Sequence, residues 1–179
     1  MTITLPPPPT WLHQVIIRNV TQADLIALEW EGEFQHFRRM YADIFEHARK
    51  GTSVLWLAEL PEKGVIGQVF IQLNSNRPEL ADGVLRAYLY GFRIKPAYRG
   101  CGLGTQMMHI VEKDLVKRGF HYVTLNVGRD NPDARRLYER LGYTVIAAEP
   151  GIWSYIDDRG ERRDVNEPAW RMQKQLRTT

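Results

Sequence analysis

The sequence predicts a mixed α/β fold: a mostly antiparallel sheet with helices on both faces. Three observations carry that prediction. Strand-like runs at 53–60, 65–73 and 84–94 follow one another through turns, which is the pattern of an antiparallel meander. Strand–helix alternation comes next, a helical face over 103–115 and a second over 132–141, separated by a strand at 122–127. Between the last meander strand and the first of these helices lies AYRGCGLGTQMM (97–108), with glycines at three alternate positions.

Taken in order, the four prolines at 6–9 predict a stiff, extended lead-in covering 1–14, because proline fixes φ and removes an amide donor. The remainder, 15–179, shows no boundary and no repeat and reads as one domain. VIIRNV (15–20) is a first strand, and Thr21 with Asp24 resembles a capping arrangement for a short helix over 22–28. Trp30, Phe34, Phe37, Tyr41 and Phe45 recur at three- and four-residue spacing, which predicts a second helix with an aromatic face, ending near Lys50 before Gly51. PEKG joins the first two meander strands as a hairpin turn, and Gly91 inside the third marks a bulge or a close backbone approach. Leu103, Met107, Ile110, Val111 and Leu115 form one helical face that stops at Gly119. The helix at 132–141 opens on Pro132 and closes before Gly142, proline and glycine each at the helix end that suits it. A strand beginning YTVIAA (143–148), an extra hairpin over 152–165 turning at Asp158, Arg159 and Gly160, and a last strand at 169–176 complete the chain.

Composition narrows the function classes. A formal charge of +3 suits an anionic small ligand and is too weak a field to argue for nucleic acid. No apolar run is long enough for a bilayer span, and the start has neither the basic patch nor the apolar stretch of a secretory signal. Cys101 is the single cysteine, so no intrachain disulfide forms and a reducing, cytoplasmic setting is expected. The five histidines lack ligand spacing, and no metal site is expected.

The glycine loop carries the strongest chemical signal. It fails the dinucleotide fingerprint, because the sixth place after Gly100 is Thr105, and it has no lysine for a Walker loop. What remains is Arg99, Gly100, Cys101, Gly102, Leu103, Gly104 and Thr105 between a strand and a helix. The first amides of a helix lack intrahelical partners, and the helix dipole adds partial positive charge there. A backbone without side chains at 100, 102 and 104 lets a pyrophosphate approach those amides, with Arg99 alongside. Cys101 sits in the same loop with no base nearby in sequence, so it reads as a loop residue and not as a nucleophile.

At these residues the chain resembles the GNAT superfamily of N-acetyltransferases. FRIKPAYRGCGLGTQMM (92–108) is similar to that family's strand, bulge and Arg/Gln-x-x-Gly-x-Gly/Ala loop. LNVGRDNPDARRLYERLGY (125–143) is similar to its strand, Asn-x-x-Ala element and Leu-Tyr-x-x-x-Gly-Phe/Tyr ending, in the family's order. The resemblance implies a central strand pair that splays apart, with acetyl-CoA as the acetyl donor in the opening. It implies that the loop from Arg99 to Thr105 holds the pyrophosphate and that the backbone of Phe92, Arg93 and Ile94 pairs with the pantetheine arm, the Ile94 amide polarising the thioester carbonyl. Asn131 matches the asparagine near the cofactor arm and is equally a helix cap. Tyr138 matches the tyrosine that protonates the leaving thiolate and equally belongs to an apolar helical face with Ala134, Leu137 and Leu141.

The implied reaction is direct attack of a primary amine, from a small molecule or a peptide, on the thioester. Such attack needs the amine deprotonated. The strand over 85–94 carries no carboxylate where many relatives place a base. Glu29, Glu31 and Glu33 are the substitute candidates, and together they would favour a cationic acceptor; a solvated acidic junction is the plain alternative. The missing strand carboxylate also motivates a second reading, a non-catalytic acyl-CoA-binding sensor or interaction domain of the same fold.

Overall fold

The fold was described from a computed structural model covering residues 6–177; residues 1–5, the beginning of the predicted lead-in, and 178–179 lie outside the described residues. Near-continuous apolar runs at 53–60 and 64–72 bury both faces of those strands, so helices must cover both sides. The strands are β1 (Ile16–Asn19), β2 (Ser53–Leu60), β3 (Gly64–Gln72), β4 (Arg86–Ile94), β5 (Tyr122–Gly128), β6 (Thr144–Glu149), β7 (Ile152–Ile156), β8 (Arg162–Asn166) and β9 (Ala169–Gln175). Seven of them form one sheet in the order β1-β2-β3-β4-β5-β9-β6, antiparallel at every junction except β4–β5. β7 and β8 pair as a separate hairpin.

Three α-helices flank the sheet: α1 (Arg38–Arg49), α2 (Leu103–Lys117) and α3 (Pro132–Arg140). Leu103, Met107, Val111 and Leu115 of α2 and Tyr138 of α3 join one buried cluster with Ala58, Leu89 and Leu125 of the sheet. Tyr41 of α1 joins the other, with Leu55, Leu57 and Phe70. Residues 54 and 58 of β2 thus face α2 while 55 and 57 face α1, the period-two alternation of a strand buried on both sides. No described helix is long and apolar enough to cross a membrane.

The structure departs from the sequence prediction in three places. The helix predicted from Trp30 begins only at Arg38, after a 3-10 turn at Gln35–Phe37. Trp30, Glu31 and Gly32 all have positive φ, so the chain reverses where a helix would need αR geometry, although Trp30 and Phe34 still pack edge-on at 5.1 Å. The Gln22–Glu29 helix is 3-10 throughout; at its start the Asp24 carboxylate accepts the Thr21 amide at 2.7 Å. Ahead of β1, Thr10–Gln14 is a 3-10 turn that sinks Leu12 into the α2-side cluster, within the stretch the prolines mark as lead-in. Pro9, just before it, is extended, with the φ of −61° that its ring sets.

Candidate active site

The site begins where two strands part. β4 and β5 pair in parallel only from Arg86 opposite Tyr122 to Leu89 opposite Leu125, although both strands continue to Ile94 and Gly128. Beyond that point the central sheet is open, which is the splayed pair the resemblance implies. Gly91 lies at the opening with φ +61, and a Cβ there would come 2.6 Å from the Phe70 ring. Only glycine fits both the backbone and the space.

Gly91 also resets the strand. Tyr90 pairs with Phe70 and Arg93 with Gln68, so three steps on β4 oppose two on β3. The extra residue inverts the alternation that follows. Leu89 faces α2, and after the bulge Phe92 and Ile94 do so as well, while Arg93 turns to the α1 side. The Lys95 amide bonds to Ile66 of β3 at 2.8 Å. Successive amides of a strand point to opposite edges, so the Ile94 amide faces the opening. The Ile94 carbonyl on that edge accepts Arg99 Nε at 2.6 Å.

The glycine loop closes the mouth of this opening. After a 3-10 turn at Pro96–Tyr98, Gly100 and Gly102 take φ values of +71 and +94, and Gly102 is the residue from which α2 starts. Two of the three glycines are therefore required by conformation. Gly104 lies within α2, where an added Cβ would sit at ordinary contact distance, 3.4–3.5 Å, from Leu137, Ile94 and Phe92, so neither conformation nor packing demands glycine there. A Cβ at Gly100 would meet nothing within 4 Å, and one at Gly102 only Leu12, at 3.8 Å. The bare loop with its helix amides has the shape and polarity for a pyrophosphate. Leu103 anchors it with a fully buried side chain, Thr105 is half-buried in the first turn, and Cys101 Sγ donates to the Arg99 carbonyl at 3.3 Å.

α3 brings the second motif to the same opening. Asn131 Oδ1 accepts the Ala134 amide at 3.2 Å, so the cap is formed, with the side-chain amide group left over for a ligand. Tyr138 is buried beside Tyr143, with ring centroids 6.0 Å apart. Burial pushes its phenol pKa well above the usual tyrosine range, helped by the nearby Tyr88. It is therefore a protonated donor across the neutral range.

On the α1 side of the opening lies a cleft of about 630 Å³. Phe37, Tyr41, Tyr90 and Trp153 supply its aromatic walls, and Tyr88, Asn126, Arg93, Arg77 and Glu149 its polar groups. Trp153 reaches it because the β7–β8 hairpin folds over α1: Tyr155 meets Phe37 edge-on at 5.0 Å, and Gln35 donates to Asp158 at 3.1 Å. Asn126 Nδ2 donates to the Tyr88 hydroxyl at 3.4 Å. Glu149 is buried and accepts from Arg77 at 2.8 Å and Arg171 at 3.1 Å. Tyr88, Asn126, Arg77 and Glu149 are not apparent as site residues in the sequence. The one local signal is the polar Tyr88 and Tyr90 pair at alternate positions of a strand whose other face, Ala87 and Leu89, is apolar.

The three candidate carboxylates are not brought together. Glu29 is buried and bound by Arg38 through contacts of 2.8 and 2.9 Å. Glu31 is exposed and pairs with Lys95 at 3.1 Å, and Glu33 is exposed. None of the three lines the cleft. Among the described residues no group of three His, Cys, Asp or Glu is placed to hold a metal ion.

Comparison with known proteins bears on this geometry. Residues 22–143 match the Acetyltransferase (GNAT) family. Over 89 residues the chain is 29% identical to the Uncharacterized N-acetyltransferase YycN of Bacillus subtilis, covering 50% of this chain and 54% of that protein; the match thus spans about half of each. Among solved structures, the ribosomal-protein-S18-alanine N-acetyltransferase of Escherichia coli superposes with a TM-score of 0.67 at 18% identity, over 92% of this chain and 96% of that one. Ard1 of Thermoplasma volcanium gives 0.69 at 15%, over 92% and 99%. The spermidine/spermine N-acetyltransferase SpeG of Vibrio cholerae gives 0.67 at 18%, over 93% and 95%. At these identities the structural likeness is one of fold.

Proposed function

The chain belongs to the acetyltransferase (GNAT) family, and from that premise we propose that it transfers an acetyl group from acetyl-CoA to a primary amine. The observation that carries the reading is the opening between β4 and β5, with the bare glycine loop at one end and buried Tyr138 on the helix beside it. Acetyl-CoA would supply the activated acyl group. The amides from Gly100 to Thr105 would hold its pyrophosphate, with Arg99 spanning loop and strand end. The backbone of Phe92, Arg93 and Ile94 would bind the pantetheine arm, and the Ile94 amide would donate to the carbonyl oxygen as negative charge develops there. Asn131 would orient the arm from the start of α3.

The amine would enter from the α1-side cleft and attack directly, so proximity and orientation supply much of the acceleration. Tyr138 Oη, on the helix beside the opening, would give its proton to the leaving thiolate. Two solved neighbours are named for different acceptors, an alanine of ribosomal protein S18 and spermidine or spermine, so the shared fold leaves the acceptor to the cleft. The test is release of free thiol from acetyl-CoA on mixing purified protein with a panel of amines. At least one amine class should give turnover above the hydrolytic background.

A specific observation supports the second reading, an acyl-CoA-binding domain without transfer. The buried carboxylate of the cleft, Glu149, and the nearby Glu29 both already accept from arginines, so neither stands free to take a proton from an incoming amine. CoA binding with no thiol release for any amine or peptide would decide for it.

A further inference from the structure

We propose that the acceptor is an amine that also carries a carboxylate, and that Arg93 is the residue that binds that carboxylate. The amine half of this statement rests on the acetyl-transfer reading above; the carboxylate half rests on Arg93 and its surroundings.

Arg93 reaches the cleft only because of the Gly91 bulge. Without the extra residue it would project into the α2-side core with Leu89. On the α1 side its guanidinium lies over the Phe34 ring at 4.4 Å and the Phe37 ring at 5.4 Å, and donates from Nη1 to the Tyr41 hydroxyl at 3.4 Å. Aromatic faces and a phenol hold a guanidinium in place without neutralising it. Its remaining N–H groups form a planar fork suited to a carboxylate.

Charge pairing isolates it further. Among the described residues Arg93 has no carboxylate partner, whereas the carboxylates around it are already taken. Glu29 belongs to Arg38, Glu31 to Lys95, and Glu149 to Arg77 and Arg171. Arg77, the other cation lining the cleft, is held by Glu79 as well as Glu149. Glu167 lines the cleft too, but it is exposed, where water screens it. The cleft wall therefore presents one half-buried positive charge that is held by aromatic faces and a phenol and has no carboxylate partner among the described residues. That favours an acceptor with a negative group and disfavours a polycation, the opposite of what the sequence cluster Glu29, Glu31 and Glu33 suggests. The aromatic walls from Phe37, Tyr90 and Trp153 suit an apolar body between the amine and the carboxylate.

The test compares amino carboxylates with the same compounds as carboxamides, and with spermidine, as acceptors. Short peptides carrying an aspartate or glutamate near the amino terminus form a separate arm, which distinguishes a free amino acid from a peptide source of the carboxylate. Wild-type kcat/KM should favour carboxylate over carboxamide by about tenfold or more, as a charge-assisted bidentate contact gives. In Arg93→Gln that ratio should collapse towards unity, chiefly through KM, and Arg93→Lys should restore part of it. Equal use of both forms by the wild type, a preference for spermidine, or an unchanged ratio in Arg93→Gln would overturn the proposal. Calorimetric titration of the same compounds into CoA-saturated protein separates the two readings. If no amine is acetylated but carboxylates bind and Arg93→Gln abolishes the binding, acetyl transfer fails and the carboxylate site stands. Absence of carboxylate binding and of carboxylate preference overturns the site.

Discussion

The glycine loop and the α1-side cleft are two ends of one opening, built by opposite means. The loop is seven consecutive residues, Arg99 to Thr105, whose chemistry is backbone amide and whose side chains mostly stay out of the way. The cleft is side-chain chemistry drawn from α1, the segment around Arg77, β4, β5, the end of β6 and β7, with Phe37 and Trp153 against each other at 6.4 Å. A backbone site needs only the right local conformation, so it can be written in a short motif. A side-chain site depends on which elements the fold brings side by side. The first end is thus suited to a ligand part that is always the same, and the second to one that varies.

Substitutions can break that division of labour, and the largest expected effect lies at the junction. Tyr138→Phe should lower turnover about a hundredfold, the low end for losing a general acid, while CoA affinity changes little. Steady-state rates beside calorimetric CoA binding check this, and unchanged turnover would return Tyr138 to a packing role. Because burial raises its pKa, wild-type kcat should show no loss from phenol ionisation up to about pH 10, the usual tyrosine value.

On the cleft side, Glu149→Gln leaves Arg171 and Arg77 facing a neutral group inside the protein. We expect about 2–3 kcal/mol of lost stability in urea unfolding, less than for a fully buried pair because Arg77 is partly exposed. CoA affinity should stay near wild type, since the loop does not depend on that network. A matching loss of CoA affinity would show the two ends to be coupled.

For the loop, Gly102→Ala forces a side chain onto a φ of +94 at the start of α2. The strain of about 1–2 kcal/mol should weaken CoA binding by roughly tenfold in a calorimetric titration. Acceptor preference, measured as a ratio between amines, should not move.

The smallest effect lies outside both regions. Asp24 accepts from Arg18 at 2.8 and 2.9 Å, and this pairing holds its carboxyl pKa down at about 2, against 3.8 for an unperturbed aspartate. A carboxyl with a lowered folded-state pKa stabilises the fold at pH values above its unfolded pKa, and the stabilisation is lost as pH falls through the folded one. Between about pH 4 and pH 2 the protein should lose on the order of 1 kcal/mol from this pair, after allowing for its partial exposure. Asp24→Asn should flatten that part of the acid-unfolding curve without touching CoA binding or turnover at neutral pH.

Legibility followed the same division. Gly91 was readable as a bulge because a glycine inside a strand has few other uses, and the α2 face because its apolar spacing is local. The helix predicted from Trp30 misled because aromatic spacing records which side chains meet, and Trp30 and Phe34 meet across a reversed backbone. The place of the last strand had no local signal. β9 inserts between β5 and β6, and pairing between strands distant in sequence is fixed by the sheet as a whole.

By itself, then, the sequence determined the alternation of strands and helices, the bulge and the anion-ready loop, because each rests on φ preferences and periodicities within a few residues. The tertiary structure alone decided that Glu29 is bound by Arg38, that Glu149 is bound by Arg77 and Arg171, and that Arg93 at the cleft has no carboxylate partner among the described residues. Net charge counts ionic groups without pairing them; only the fold sets which charges cancel and which one is left to line the cleft.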